Sequence, residues 1–113
     1  MADVGETDVV DMLGDDYVKT ILVQTREEPK SVQALSDACD ADPSTIYRRI
    51  EQLTAADLLE DHQKLDPGGH HHKVYAANLR EVRIQLGETD YIIEIDRTEA
   101  AADRFTRLYE GFK

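Results

Sequence analysis

The chain has one cysteine, no tryptophan, three prolines and only 6% aromatic residues. A lone thiol, Cys39, cannot close an internal disulfide, so no covalent framework holds the fold and an intracellular setting fits. A run of about 18 apolar residues, the minimum for a membrane-spanning helix, is missing. The opening Met1-Ala2-Asp3-Val4-Gly5-Glu6 lacks the basic and apolar regions of an export signal. The expectation is a soluble, cytoplasmic protein with no membrane partner. Basic residues are scarce as well: 13 Lys and Arg stand against 24 Asp and Glu, for a net charge of -11, which is an unfavourable start for binding nucleic acid. There is no phosphate-cradling glycine loop, no Cys-His or Ser-His-Asp arrangement at informative spacing, and no convincing metal cluster. The expectation is therefore no enzyme, no cofactor and no bound metal.

What is present in excess is acid, spread over nearly every predicted surface rather than gathered in a tail. That pattern points to a surface adapted to concentrated salt, where screening shortens self-repulsion to about 3 Å at molar ionic strength. On this reading acidity reports habitat more than partner. A length of 113 residues allows one domain with a modest core, plus a helix that needs a partner to cover it.

Val9, Val10, Met12 and Leu13 form an apolar cluster ending at Gly14, and Tyr17, Val18, Ile21, Leu22 and Thr25 follow at helical spacing. These predict a first helix, broken or kinked near Gly14, then a polar connection over 26–30. Ser31 is placed to cap a second helix running to about Ala38, with Val32, Leu35 and Cys39 inward. Asp42-Pro43 is a strong helix start, because Asp can cap free amides and Pro suits the first helical position. The third helix should run to about Ala55, with Ile46, Ile50 and Leu53 on one face and Ser44, Thr45, Arg48, Glu51 and Gln52 on the other. Leu58 to Leu65 and His71 to Ala76 predict a hairpin around Asp66-Pro67-Gly68-Gly69. Val82 to Leu86 and Tyr91 to Ile95 predict a second hairpin, and from Asp96 onward a helix is expected. Its residues Ala101, Phe105, Leu108 and Phe112, spaced four, three and four apart, form an apolar seam.

Three helices followed by a hairpin is the winged helix-turn-helix plan, in which the second of two crossed helices enters the major groove and the hairpin reaches the flank. Arg48 can fork to guanine and Gln52 can pair with adenine, while Ser44 or Thr45 can bind phosphate beside exposed amides. Tyr47 and Arg49 suit backbone contacts. Residues 43–53 carry +1, and so do residues 62–75 with Lys64 and Lys73, leaving -13 on the remainder of a chain at -11. The acid avoids the two elements that would touch phosphate.

At Ser31 to Leu35, Pro43-Ser44-Thr45-Ile46-Tyr47-Arg48-Arg49-Ile50-Glu51-Gln52-Leu53, Asp57 to Glu60 and Gly68 to Tyr75, the sequence resembles the ArsR-like winged-helix regulators abundant in halophilic archaea. The resemblance covers about Asp16 to Ala76. It implies a homodimer that binds a near-palindromic promoter site and controls transcription. By the same resemblance Ser44, Thr45, Tyr47, Arg48 and Gln52 look like reading-helix contacts, and His70, His71, His72 and Lys73 like wing contacts. The metal-binding cysteine pair of the founding metal sensors is absent.

Cys39 invites a redox-sensor reading, since oxidation beside the reading helix would disturb it, but it has Asp40 beside it and no nearby base, so packing is the favoured role. His70 and His72 could converge on a metal, yet a polar wing touching DNA is the better reading, with protonation raising affinity at mildly acid pH. The seam of Ala101, Phe105, Leu108 and Phe112, rimmed by Tyr109, is read as a dimer interface, because a complete small domain has little surface left for it.

The fold class is thus α+β: a winged helix-turn-helix over 1–78, then a β-hairpin and a C-terminal dimerisation helix over 79–113. The predicted function is a sequence-specific, salt-adapted, stress-responsive regulator, with salt cations at the DNA interface. The alternative is a winged-helix protein-interaction module of the transcription machinery.

Overall fold

The computed structural model describes residues 5–98 and has the element order α1 (Glu6–Leu13), α2 (Asp16–Glu27), α3 (Val32–Cys39), α4 (Pro43–Ala55), β1 (Leu59–Leu65), β2 (His71–Ala77), β3 (Leu79–Leu86) and β4 (Tyr91–Arg97). The expected first helix is two helices. Gly14 ends α1, and the Asp15 side chain accepts the Val18 amide at 3.0 Å to start α2. Ser31 caps α3 as predicted, its hydroxyl accepting the Ala34 amide at 3.2 Å. Asp42 occupies the N-cap of α4, but its side chain makes no capping bond there, so Pro43 at the first turn carries that start signal.

Each helix donates one stripe to a common core. Val9, Val18, Ile21, Leu35, Ile46, Ile50 and Leu53 are buried, and Leu58, Leu59 and Tyr75 close it from the sheet side. Asp40 adopts the left-handed conformation, φ 51°, that lets the chain turn sharply out of α3. The Ser36 hydroxyl donates to the Ala41 carbonyl across the same corner.

β1 and β2 form an antiparallel ladder from Leu59–Ala77 to Leu65–His71, and β3 and β4 form a separate one. At the root of the first hairpin Lys30 and Tyr75 exchange both backbone bonds, at 2.9 and 2.8 Å. The polar connection expected at 26–30 therefore contributes one bridge to the sheet. Its single residue carries no alternation for a sequence reading to detect.

The helix expected from Asp96 is corrected by the structure, since Asp96 and Arg97 belong to β4. Asp96 pairs with Glu81, and the Arg97 guanidinium donates to the Ala56 and Asp57 carbonyls at 2.8 and 3.0 Å. A cation thus satisfies the orphan carbonyls at the end of α4, where the helix dipole favours it. The second hairpin joins the same core through Leu79, Val82 and Ile95. The seam of Ala101, Phe105, Leu108, Tyr109 and Phe112, together with the dimerisation helix predicted from it, lies outside the described residues.

Candidate nucleic-acid interface

The corner between α3 and α4 positions α4 with one side in the core and the other in solvent. Ile46, Ile50 and Leu53 are buried, whereas Ser44, Tyr47, Arg48, Glu51 and Gln52 are exposed and Thr45 is half-buried. Arg48 has no ion pair among the described residues, so its guanidinium is available to a ligand. In the first hairpin Lys64, His70, His71, His72 and Lys73 are all exposed. Lys64 is likewise unpaired among the described residues, while Lys73 lies 3.5 Å from Asp61.

The two elements meet at Tyr47. One groove is lined by Tyr47, Thr54, Lys73 and Tyr75, and a neighbouring one by Ser31, Gln33, Tyr47, His72 and Lys73. Tyr47, 52% exposed, therefore stands between the α4 surface, the start of α3 and the hairpin. Tyr75 lies beneath it, and burial pushes its hydroxyl above the usual tyrosine value, against the nearby Lys73 charge. Sequence reasoning assigned no role to Ser31, Gln33 or Tyr75 at this surface. Ser31 was legible only as a cap and Tyr75 only as part of the returning strand, and their neighbourhood arises from the Lys30–Tyr75 bridge.

Arg49 is placed differently from its neighbours. Half-buried, it reaches back to Asp15, with Nη2 at 2.9 Å and Nε at 3.0 Å from the same carboxylate oxygen, and lies 5.7 Å from the Tyr17 ring centroid. Partial burial would raise the Asp15 carboxyl, but the Arg49 hydrogen bond, the Val18 amide and the guanidinium charge outweigh it and hold it below the ordinary aspartate value. The pair locks α4 against the start of α2.

Cys39 is half-buried, with its sulfur 4.0 Å from the Tyr17 carbonyl oxygen. Burial first, and then the Asp15 charge, push its thiol above the ordinary value. That is the reverse of what a sensor thiol needs. Among the described residues no three His, Cys, Asp or Glu side chains come together as a metal site would require.

The hairpin turn is set by backbone bonds from Gly69 to Asp66 and from Asp66 to His70, both 2.8 Å, with Gly69 at φ 85°. At that φ any side chain is strained. The turn carries His70, and the strands that it joins carry Lys64, His71, His72 and Lys73, all of them exposed.

Comparison with known proteins agrees with this geometry. Residues 11–62, from the end of α1 into β1, match the family described as a helix-turn-helix domain. None of the curated proteins compared with it matches the chain. This stretch is similar to helix-turn-helix domains, in which the second of two crossed helices enters the major groove of DNA. No helix of the described residues is long and apolar enough to cross a membrane.

Proposed function

We propose that the chain is a sequence-specific, double-stranded DNA-binding transcription regulator of the winged, ArsR-like kind, acting as a homodimer. The observation that carries this reading is the outward face of α4: Arg48 and Gln52 project into solvent from a helix whose other face is anchored by Ile46, Ile50 and Leu53. In this reading Arg48 and Gln52 read base edges and Ser44, Thr45 and Tyr47 hold the phosphate backbone. Lys64, His70, His71, His72 and Lys73 grip the flank. Arg49 is assigned to orienting α4, because Asp15 already occupies its guanidinium.

Two copies related by a two-fold axis would present two α4 helices to half-sites about 34 Å apart. The acid excess supports a protein adapted to high salt, of the haloarchaeal type, with cations bridging its carboxylates to phosphate. No reaction is assigned to the chain.

Gel-shift titration against genomic fragments in molar KCl tests the reading. A retarded complex on discrete fragments is expected, with affinity changing little or rising between roughly 0.5 and 2 M KCl, where screening is already near complete. A steep loss over that range would remove the salt-bridging component, and no complex on any fragment would remove the DNA reading. A second reading, a module binding protein in the transcription machinery, draws on the exposed Ile84, Leu86 and Tyr91 of the second hairpin. The same titration separates the two.

A further inference from the structure

The second hairpin has two unlike faces. Val82 pairs with Ile95, Ile84 with Ile93 and Leu86 with Tyr91, so these six side chains share one side. The other side carries a charge lattice, in which Arg83 binds Glu81 at 2.7 Å and Glu94 at 3.1 Å. Val82 and Ile95 rest on the core, but toward the tip Ile84, Leu86 and Tyr91 are 47%, 85% and 63% exposed. A two-stranded ribbon is marginal alone, and a contiguous open apolar face on so acidic a protein marks a contact.

Val10 of α1 flanks this face, and with Ile84, Tyr91 and Ile93 it forms an apolar groove. The charged residues lining that groove, Glu6, Asp11 and Asp90, are all acidic. Residues 99–113 are the complement. They hold Ala101, Phe105, Leu108 and Phe112, and Arg104, Arg107 and Lys113 balance Glu99, Asp103 and Glu110. The whole net charge of -11 therefore resides on residues 1–98. As the helix its spacing predicts, 99–113 would be about 22 Å long. The strands of the hairpin span about 23 Å, so the two match in length.

β4 runs from the groove at Asp90 and Tyr91 toward the end of α4, where Arg97 is pinned to Ala56 and Asp57 and the Thr98 amide donates to the Asn78 carbonyl at 3.2 Å. The described chain thus ends at the opposite end of the hairpin from its own groove.

We propose that the apolar face of β3–β4, with α1 beside it, seats residues 99–113 of a second copy of this chain, an assignment that rests on the homodimer reading above. In a Cys39→Ser background, full-length chains with Ile84→Cys are mixed with differently tagged chains with Leu108→Cys, left to exchange subunits and oxidised. A disulfide joining the two kinds of chain is expected. No bond in this mixture but one within a separately prepared chain that carries both cysteines, or a bond only between two Ile84→Cys chains, overturns the seat. So does a dimer by sedimentation with no bond of any kind, while leaving the homodimer standing. A monomer by sedimentation overturns the homodimer and the seat together. As a second arm, Leu86→Lys alters an exposed side chain and should weaken dimerisation by about tenfold or more at unchanged helix content. An unchanged dimer constant overturns the seat.

Discussion

Asp15 and Arg49 are 34 positions apart, and one carboxylate serves two helices: Oδ1 starts α2 by accepting the Val18 amide, and Oδ2 holds the guanidinium of α4. The relationship ties α4 to the start of α2 and adds to the anchoring of its inner face by Ile46, Ile50 and Leu53. Arg49→Ala should therefore lower both stability and DNA affinity, by about 1–3 kcal/mol of stability for a half-buried charged pair. Arg49→Lys should restore only part, since a single ammonium cannot reproduce the fork. Chemical denaturation alongside fluorescence anisotropy checks both.

The same pair sets an acid limb. Asp15 titrates below its ordinary value in the folded chain. Its contribution is fully present at neutral pH and is lost as the pH falls through the lowered value, below about pH 4. The stability difference between the parent and Arg49→Ala should be constant from pH 5 to 8 (roughly, the range in which Asp15 stays ionised) and should shrink in acid. A difference that grows on acidification would contradict the assignment.

Arg48→Ala should separate recognition from folding. The side chain is exposed and unpaired among the described residues, so the melting temperature should stay unchanged. Affinity should fall by about 1–3 kcal/mol, with preference relaxed at one base position. Competition binding against single-base variants of a bound fragment reads this out.

Lys64→Ala and Lys73→Ala should weaken binding evenly across sequences, because phosphate contacts position the protein without reading bases. Lys73→Ala also frees Asp61, its partner at 3.5 Å, and leaves a carboxylate beside the groove. It should be the more damaging of the two.

Gly87→Ala should disrupt the second hairpin at its tip. A Cβ there would sit 2.6 Å from the Asp90 carbonyl oxygen, so the turn would have to shift. Loss of amide-exchange protection confined to β3 and β4, with the helices unaffected, is the expected pattern.

The helices were legible in the sequence because their signals are local: a capping Ser31, a Pro43 in the first turn, and apolar side chains recurring every three to four residues. Both hairpins were legible for the same reason, through alternation and through Asp66-Pro67-Gly68-Gly69. What escaped was non-local. The Asp15–Arg49 pair, the Lys30–Tyr75 bridge and the hold of Arg97 on the end of α4 link residues far apart in the chain, and periodicity carries no trace of them. Asp96 and Arg97 were read as helical because the Ala101 to Phe112 spacing extends its pattern backward when no turn residue intervenes. On the outward face of α4, Ser44, Arg48, Glu51 and Gln52 are exposed as the wheel places them and Thr45 is half-buried; Arg49, expected beside that face as a backbone contact, turns instead to Asp15, a pairing that a wheel does not encode.

Asn78 is the single residue between the two hairpins, and its side-chain amide donates to the Asp57 carbonyl at 2.8 Å while its own carbonyl accepts the Thr98 amide. Together with Arg97 it rivets the root of the second hairpin to the trailing end of α4. The second hairpin therefore meets α4 at a hydrogen-bonded joint and not through a free linker, so its root keeps one orientation to the helix even where its tip is loosened.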